Sequence, residues 1–264
     1  MTIFFNNLLK EKNGLLLSFI ISILVADIVR GLFTARNQIF SILVFELEIY
    51  SLIKLLEQGK KRYFWVLIAL AFLLVLVHDT LYFLFFIFIL PYLADYLLNK
   101  FFKIDNTTRF KNSNLKNGKY LIILIILAIP IGFCTPVFAS TYTNLINCMN
   151  GISTSFINEL KLPVIMEDPK ILTVIFLAVG LIGFTKTKYK IKDVLFVFGL
   201  IIFALMANRN SEFLYMIGII YLTNMLTECI NSYVGEEKKE LYFGLIEKSK
   251  YTIVLVCFTV IVFG

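Results

Sequence analysis

Charge is scarce in this chain. Only 16% of its residues are Asp, Glu, Lys or Arg, where soluble domains carry about 25%. Its single histidine, His78, rules out a multi-histidine metal site. The four cysteines (Cys134, Cys148, Cys229, Cys257) form no C-x-x-C pair and no metal spacing. Buried free thiols are therefore expected, with a Cys134–Cys148 bridge open only if both lie outside the cytoplasm. There is no Gly-rich phosphate loop and no G-x-S-x-G nucleophile turn, so the chemistries built on those turns have no foothold. No A-x-A-like cleavage site follows the apolar run from Gly14 to Ala26, which reads as a retained first span.

Apolar residues take the place of charge. They make up 59% of the 264 residues, 16% are aromatic, and the mean hydropathy is +0.85. A soluble fold of this size has too little interior to hide them. Runs such as "YLIILIILAIPIGF" lack the alternation a membrane barrel needs, leaving a helical membrane protein. The expectation is an all-α, polytopic transmembrane bundle forming one domain over 1–264. Nine spans are expected: 14–33, 38–56, 63–78, 80–98, 120–138, 170–185, 191–207, 213–230 and 251–264.

The net charge of +7 does not point to nucleic acid, because the basic residues sit in short stretches between apolar runs. Loops 57–62, 99–119, 186–190 and 231–250 hold most of them. The positive-inside rule makes these four cytoplasmic, with a cytoplasmic amino terminus in a multi-pass cell-membrane protein. The turn at His78–Asp79, the segment 139–169 and the polar knot Asn208–Glu212 are then outer; Arg30 and Arg36 run against this scheme. Spans 63–78 and 191–207 are shorter than a hydrocarbon core of about 30 Å. Their outer turns are expected to sit low, flooring a polar depression.

Several residues stand out chemically. His78 beside Asp79 suits proton transfer or cation binding, while the spacing alone favours a water-exposed turn. Glu46 and Glu48 lie inside a span but about 200° apart around a helix. One is expected to face the interior and the other to pair with Lys54. Intramembrane acids are functional candidates by default, with a structural ion pair as the rival account. The outer segment 139–169 is rich in Thr, Ser, Asn and Tyr and carries Glu159, Glu167 and Asp168, which suits head-group or sugar contacts as well as plain solvation. In "FALMANRNSEFLYM", Arg209 and Asn210 either cap a hairpin or contact a ligand.

Four local patterns occur in a recognisable order. They are "ARNQIFSILVFELEIYSLIKLLEQGKKRYFW", "LVHDTLYFLFFIFILPYLADYLL", "CTPVFASTYTNLINCMNGISTSFINELKLP" and "LMANRNSEFLYMIG". Together they resemble a family of large uncharacterised bacterial membrane proteins over about residues 29–225. That family is distantly similar to GT-C-type glycosyltransferases, which move sugars from polyprenyl-phosphate carriers on the outer face. The resemblance places Arg36, Gln38, His78, Pro136, Glu159, Pro163, Arg209 and Asn210 at motif positions. It implies Arg36, Arg209 and Asn210 as binding residues, and His78, Asp79 or Glu159 as catalytic candidates. The chain departs from the pattern at Asn37, Leu76 and Asn208. The acid-bearing loop that such enzymes place after their first span has no counterpart, and Asp27 is a poor substitute. A truncated, split or degenerate relative is the resulting expectation.

A non-catalytic membrane subunit or transporter-like protein is the alternative reading, with Glu46 or Glu48 lining a path. Membrane lipids, a polyprenyl-phosphate sugar carrier and a partner membrane subunit are the expected partners, and nucleic acid is not. No cofactor is expected, and no ligand cluster supports a divalent cation.

Overall fold

A computed structural model describes residues 21–23, 25, 37–101, 110–135, 138, 142–143, 169–207 and 210–233. The architecture is mostly helical. Helix α1 (Asn37–Leu56) and α2 (Tyr63–Val77) form a hairpin, and a 3-10 turn (Asp79–Leu81) leads into α3 (Tyr82–Phe101). Then come α4 (Lys119–Ile131), α5 (Pro169–Phe184) and α6 (Ile191–Met206). A three-residue helical turn (Ser211–Phe213) and a π-helical segment (Leu214–Gly218) lead into α7 (Ile219–Tyr233). The expected spans between 38 and 230 all correspond to helices; those at 14–33 and 251–264 fall largely or wholly outside the described residues.

Local chemistry sets the ends. Gly59, with φ +76°, turns the chain between α1 and α2 in the left-handed region that a side chain disfavours. Helix α4 was expected to run to 138 but closes at Ile131. Pro130 supplies no N–H, and the following amides of Gly132, Phe133 and Cys134 bond three residues back, to Ile129, Pro130 and Ile131. This 3-10 tightening ends the helix before Pro136 is reached. Cys134, which follows it, is a free and exposed thiol, and Cys148 lies outside the described residues.

Two strand-like pairs were not expected at all. Phe110 pairs with Tyr189 and Lys111 with Lys190, in a two-residue parallel ladder of β1 (Phe110–Lys111) and β2 (Tyr189–Lys190). It ties two of the basic stretches together.

The core is aromatic. Phe45 of α1 meets the Phe88 ring of α3 edge-on at 5.0 Å and Phe213 at 5.7 Å. Phe196 of α6 stacks on Tyr221 of α7 at 3.9 Å and 3°, and Tyr92 of α3 stands edge-on to Phe196 at 5.6 Å. Such ring pairs add about 0.5–1.5 kcal/mol each beyond simple burial. Helices α3, α6 and α7 are thereby locked into one unit, with α1, α2 and α4 packed on α3 and α5 on α6 and α7.

By length and composition, Asp79–Phe101 is the one stretch among the described residues that suffices to cross a membrane, with hydropathy 2.0. Tyr63–Val77, Lys119–Ile131 and Lys170–Phe184 are apolar but shorter.

Candidate functional site

The sequence candidates gather only in part within the described residues. His78 closes α2 with φ −153° and ψ 74°, outside the helical region, and its Nδ1 lies 2.8 Å from Ser41 Oγ on α1. Ser41 is fully buried and His78 half-buried, so the imidazole turns towards the bundle as well as towards its own hairpin. The hydrogen bond joins the first two sequence patterns in space. Asp79 opens the 3-10 turn and is likewise half-buried. Arg36, Glu159 and Arg209 lie outside the described residues, as do Pro136 and Pro163, and of Gln38 only the helical backbone is described.

Asn210 has a local task. Its side-chain amide donates to the Phe203 carbonyl at 3.0 Å, and its backbone N–H to Ala207 at 2.9 Å. Phe203 lies in the last turn of α6, where carbonyls lack helical partners, so Asn210 serves as a cap. Phe203 in turn meets the rings of Phe83 at 6.2 Å and Phe213 at 5.9 Å. These contacts bring the Ala207–Asn210 turn to the same end of the bundle as the His78 hairpin.

In the middle of α1, Glu46 and Glu48 are both 0% exposed. Opposite faces do not separate them into one buried and one paired residue as expected, because α1 is enclosed on both sides. All four carboxylate oxygens lack a hydrogen-bond partner among the described residues. Lys54 instead lies over the Tyr50 ring at 4.9 Å.

The end carrying the basic loops holds a polar network that sequence reasoning missed. Lys192, at the start of α6, is 0% exposed. It pairs with Glu57 after α1, stands 3.8 Å from Asp193 and lies 4.9 Å from the Tyr92 ring centre. The Tyr92 and Tyr221 hydroxyls meet at 3.1 Å. Asp95 accepts the Ser113 backbone N–H at 3.2 Å, and Glu228 pairs with Lys111 at 3.1 Å and Lys190 at 3.3 Å. Thr187 bonds Ser232 at 2.6 Å. Tyr189 bonds Thr185 at 2.7 Å, and burial pushes its phenol above the usual tyrosine range. Loops 57–62, 99–119 and 186–190 and the start of 231–250 are thus joined at one end. The visible sign was an acid, Asp95, inside an apolar run, and a Lys-Asp pair opening another.

No group of three or more His, Cys, Asp or Glu side chains among the described residues is placed to hold a metal ion. Comparisons with protein families, with curated proteins and with solved structures found no match to this chain.

Proposed function

We propose that this chain is a polytopic integral membrane protein of about nine spans, whose His78 end binds a polyprenyl-phosphate-linked sugar on the outer face. It is read as a distant GT-C-like relative. The membrane part is supported by large apolar side chains facing outward along successive helices. They include Trp65 (70% exposed) and Leu76 on α2, Ile126 (60%) on α4, Phe176 (67%) on α5 and Ile202 (63%) on α6. A water-soluble monomer rarely exposes so many large apolar side chains, whereas hydrocarbon solvates them at no cost.

The observation that carries the binding site is the Ser41–His78 hydrogen bond. Ser41 lies five positions after Arg36 in sequence, which supports reading the first two sequence patterns as parts of one site. Arg36 and Arg209 would hold the phosphate through guanidinium forks, and His78, Asp79 or Glu159 would contact the sugar. Purified protein titrated with a fluorescent polyprenyl-phosphate sugar tests this. Saturable binding is expected, weakened at least tenfold by Arg36→Ala, His78→Ala or Arg209→Ala. Absence of saturable binding by the unaltered protein overturns it.

A second reading, a non-catalytic subunit or transporter-like protein, is favoured by the buried Glu46 and Glu48 carboxylates, which have no hydrogen-bond partner among the described residues. Proteoliposomes separate the two. Ion or proton flux abolished by Glu48→Gln but indifferent to His78→Ala supports the second and not the first.

A further inference from the structure

Helices α2 and α4 begin side by side at the basic end of the bundle. The Lys116 backbone N–H donates to the Leu56 carbonyl at 2.8 Å, and the Asn117 amide to Leu55 at 3.0 Å. The rings of Phe64 and Tyr120, just inside the two helices, meet at 5.3 Å. Lys60, Lys61 and Arg62 precede α2, and Lys116 and Lys119 flank the start of α4; all five are exposed. None has a carboxylate partner among the described residues. The nearby acids are engaged elsewhere: Glu57 with Lys192, Asp95 with Ser113, and Glu228 with Lys111 and Lys190. Neither helix carries an acid in its first turn. The result is two adjoining clusters of positive charge with no carboxylate partner among the described residues.

The surface beyond them changes character abruptly. Arg62 lies 5.2 Å from the Tyr63 ring centre and Lys119 5.9 Å from that of Tyr120, and Trp65 is 70% exposed. Past this aromatic band the outward faces are wholly apolar: Val66, Phe72 and Leu73 on α2, and Ile122, Ile123 and Ile126 on α4. Nucleic acid or a free anion would use the cations and leave the rest bare. A phospholipid matches the whole sequence of surfaces, with phosphate at the cations, glycerol at the aromatic band and acyl chains along the helices.

We infer that the paired starts of α2 and α4 bind an anionic phospholipid bearing two phosphates, one phosphodiester at Lys60–Arg62 and the other at Lys116 and Lys119. This site lies at the end opposite His78. It rests on the membrane part of the preceding proposal and not on the sugar-carrier part.

Native mass spectrometry of the full chain, purified in detergent and stripped of lipid, tests the site with three added lipids. These are a diphosphatidylglycerol, a phosphatidylglycerol and a phosphatidylcholine. The two-phosphate lipid should bind at least tenfold tighter than either of the others. K60Q/K61Q/R62Q should weaken it on the order of a hundredfold at low salt, given three lost charges near a headgroup. K60R/K61R should bind as the parent does. If the triple variant does not elute as a folded species, K116Q/K119Q and a salt titration of the parent read the same quantity. Equal binding of phosphatidylcholine, or unaltered binding by the Gln variants, overturns the site. Equal binding of phosphatidylglycerol overturns the two-phosphate assignment. Full displacement by pyrophosphate would make it a free-anion site instead. Failure of the membrane reading itself shows separately, as protein that stays in solution once detergent is removed.

Discussion

Two residues show how burial changes the meaning of a charge. Lys192 reads in sequence as one more basic residue at the edge of a span, yet its ammonium is enclosed by Glu57, Asp193 and the Tyr92 ring. Removing one partner of a buried ion pair leaves a stranded charge at a cost of about 3–5 kcal/mol, while replacing the whole set by apolar groups is often neutral. Lys192→Met should therefore lower the thermal midpoint in detergent markedly, because it strands the Glu57 and Asp193 carboxylates. Lys192→Met with Glu57→Gln and Asp193→Leu should recover most of that loss; a triple variant no better than the single one contradicts this account. At the other end, Ser41→Ala should cost about 1 kcal/mol by removing the His78 hydrogen bond. Thermal unfolding compared with His78→Ala and the double variant reads the coupling directly.

Element ends carry the next level of specificity, and two glycines separate tight places from tolerant ones. A Cβ at Gly118 would lie 2.0 Å from Tyr96 Cδ2, against ring atoms that cannot swing aside without leaving their site. Gly118→Ala is expected to destabilise by about 1–3 kcal/mol and to loosen the α3–α4 contact. A Cβ at Gly218 would meet Leu214 Cδ1 at 2.8 Å, the far end of a flexible side chain. Gly218→Ala should cost well under 1 kcal/mol, since Leu214 can change rotamer and alanine favours helix. Thermal melts of the two variants, run together, check the ordering; a costlier Gly218→Ala would mean the π-helical segment cannot give. Helix positions were legible because long apolar runs between basic stretches leave few alternatives. The early end of α4, the π-helical segment and the β1–β2 ladder were not, since each depends on which neighbour takes a freed backbone group.

At the scale of the whole molecule, the basic stretches meet at one end and the His78 hairpin and Asn210 turn at the other. Charge bias predicts which end faces the cytoplasm. In a background lacking the other cysteines, Cys134 should react with an impermeant maleimide on intact cells, being exposed beyond the end of α4. Lys61→Cys and Lys188→Cys should react only after permeabilisation. Labelling of all three from the same side would exclude the expected topology.

Composition and apolar run length by themselves determined that this chain is helical and where most helices lie, because long apolar runs without period-two alternation suit helices and not half-buried strands. Basic residues between the runs determined which loops belong together. Only the tertiary structure decided what the buried polar residues do. It enclosed both Glu46 and Glu48, enclosed Lys192 with Glu57 after α1 and Tyr92 of α3, set Asn210 to cap α6 and joined Ser41 to His78. These partners lie far apart in sequence, and a hydrogen bond or ion pair depends on ångström distances that periodicity does not encode.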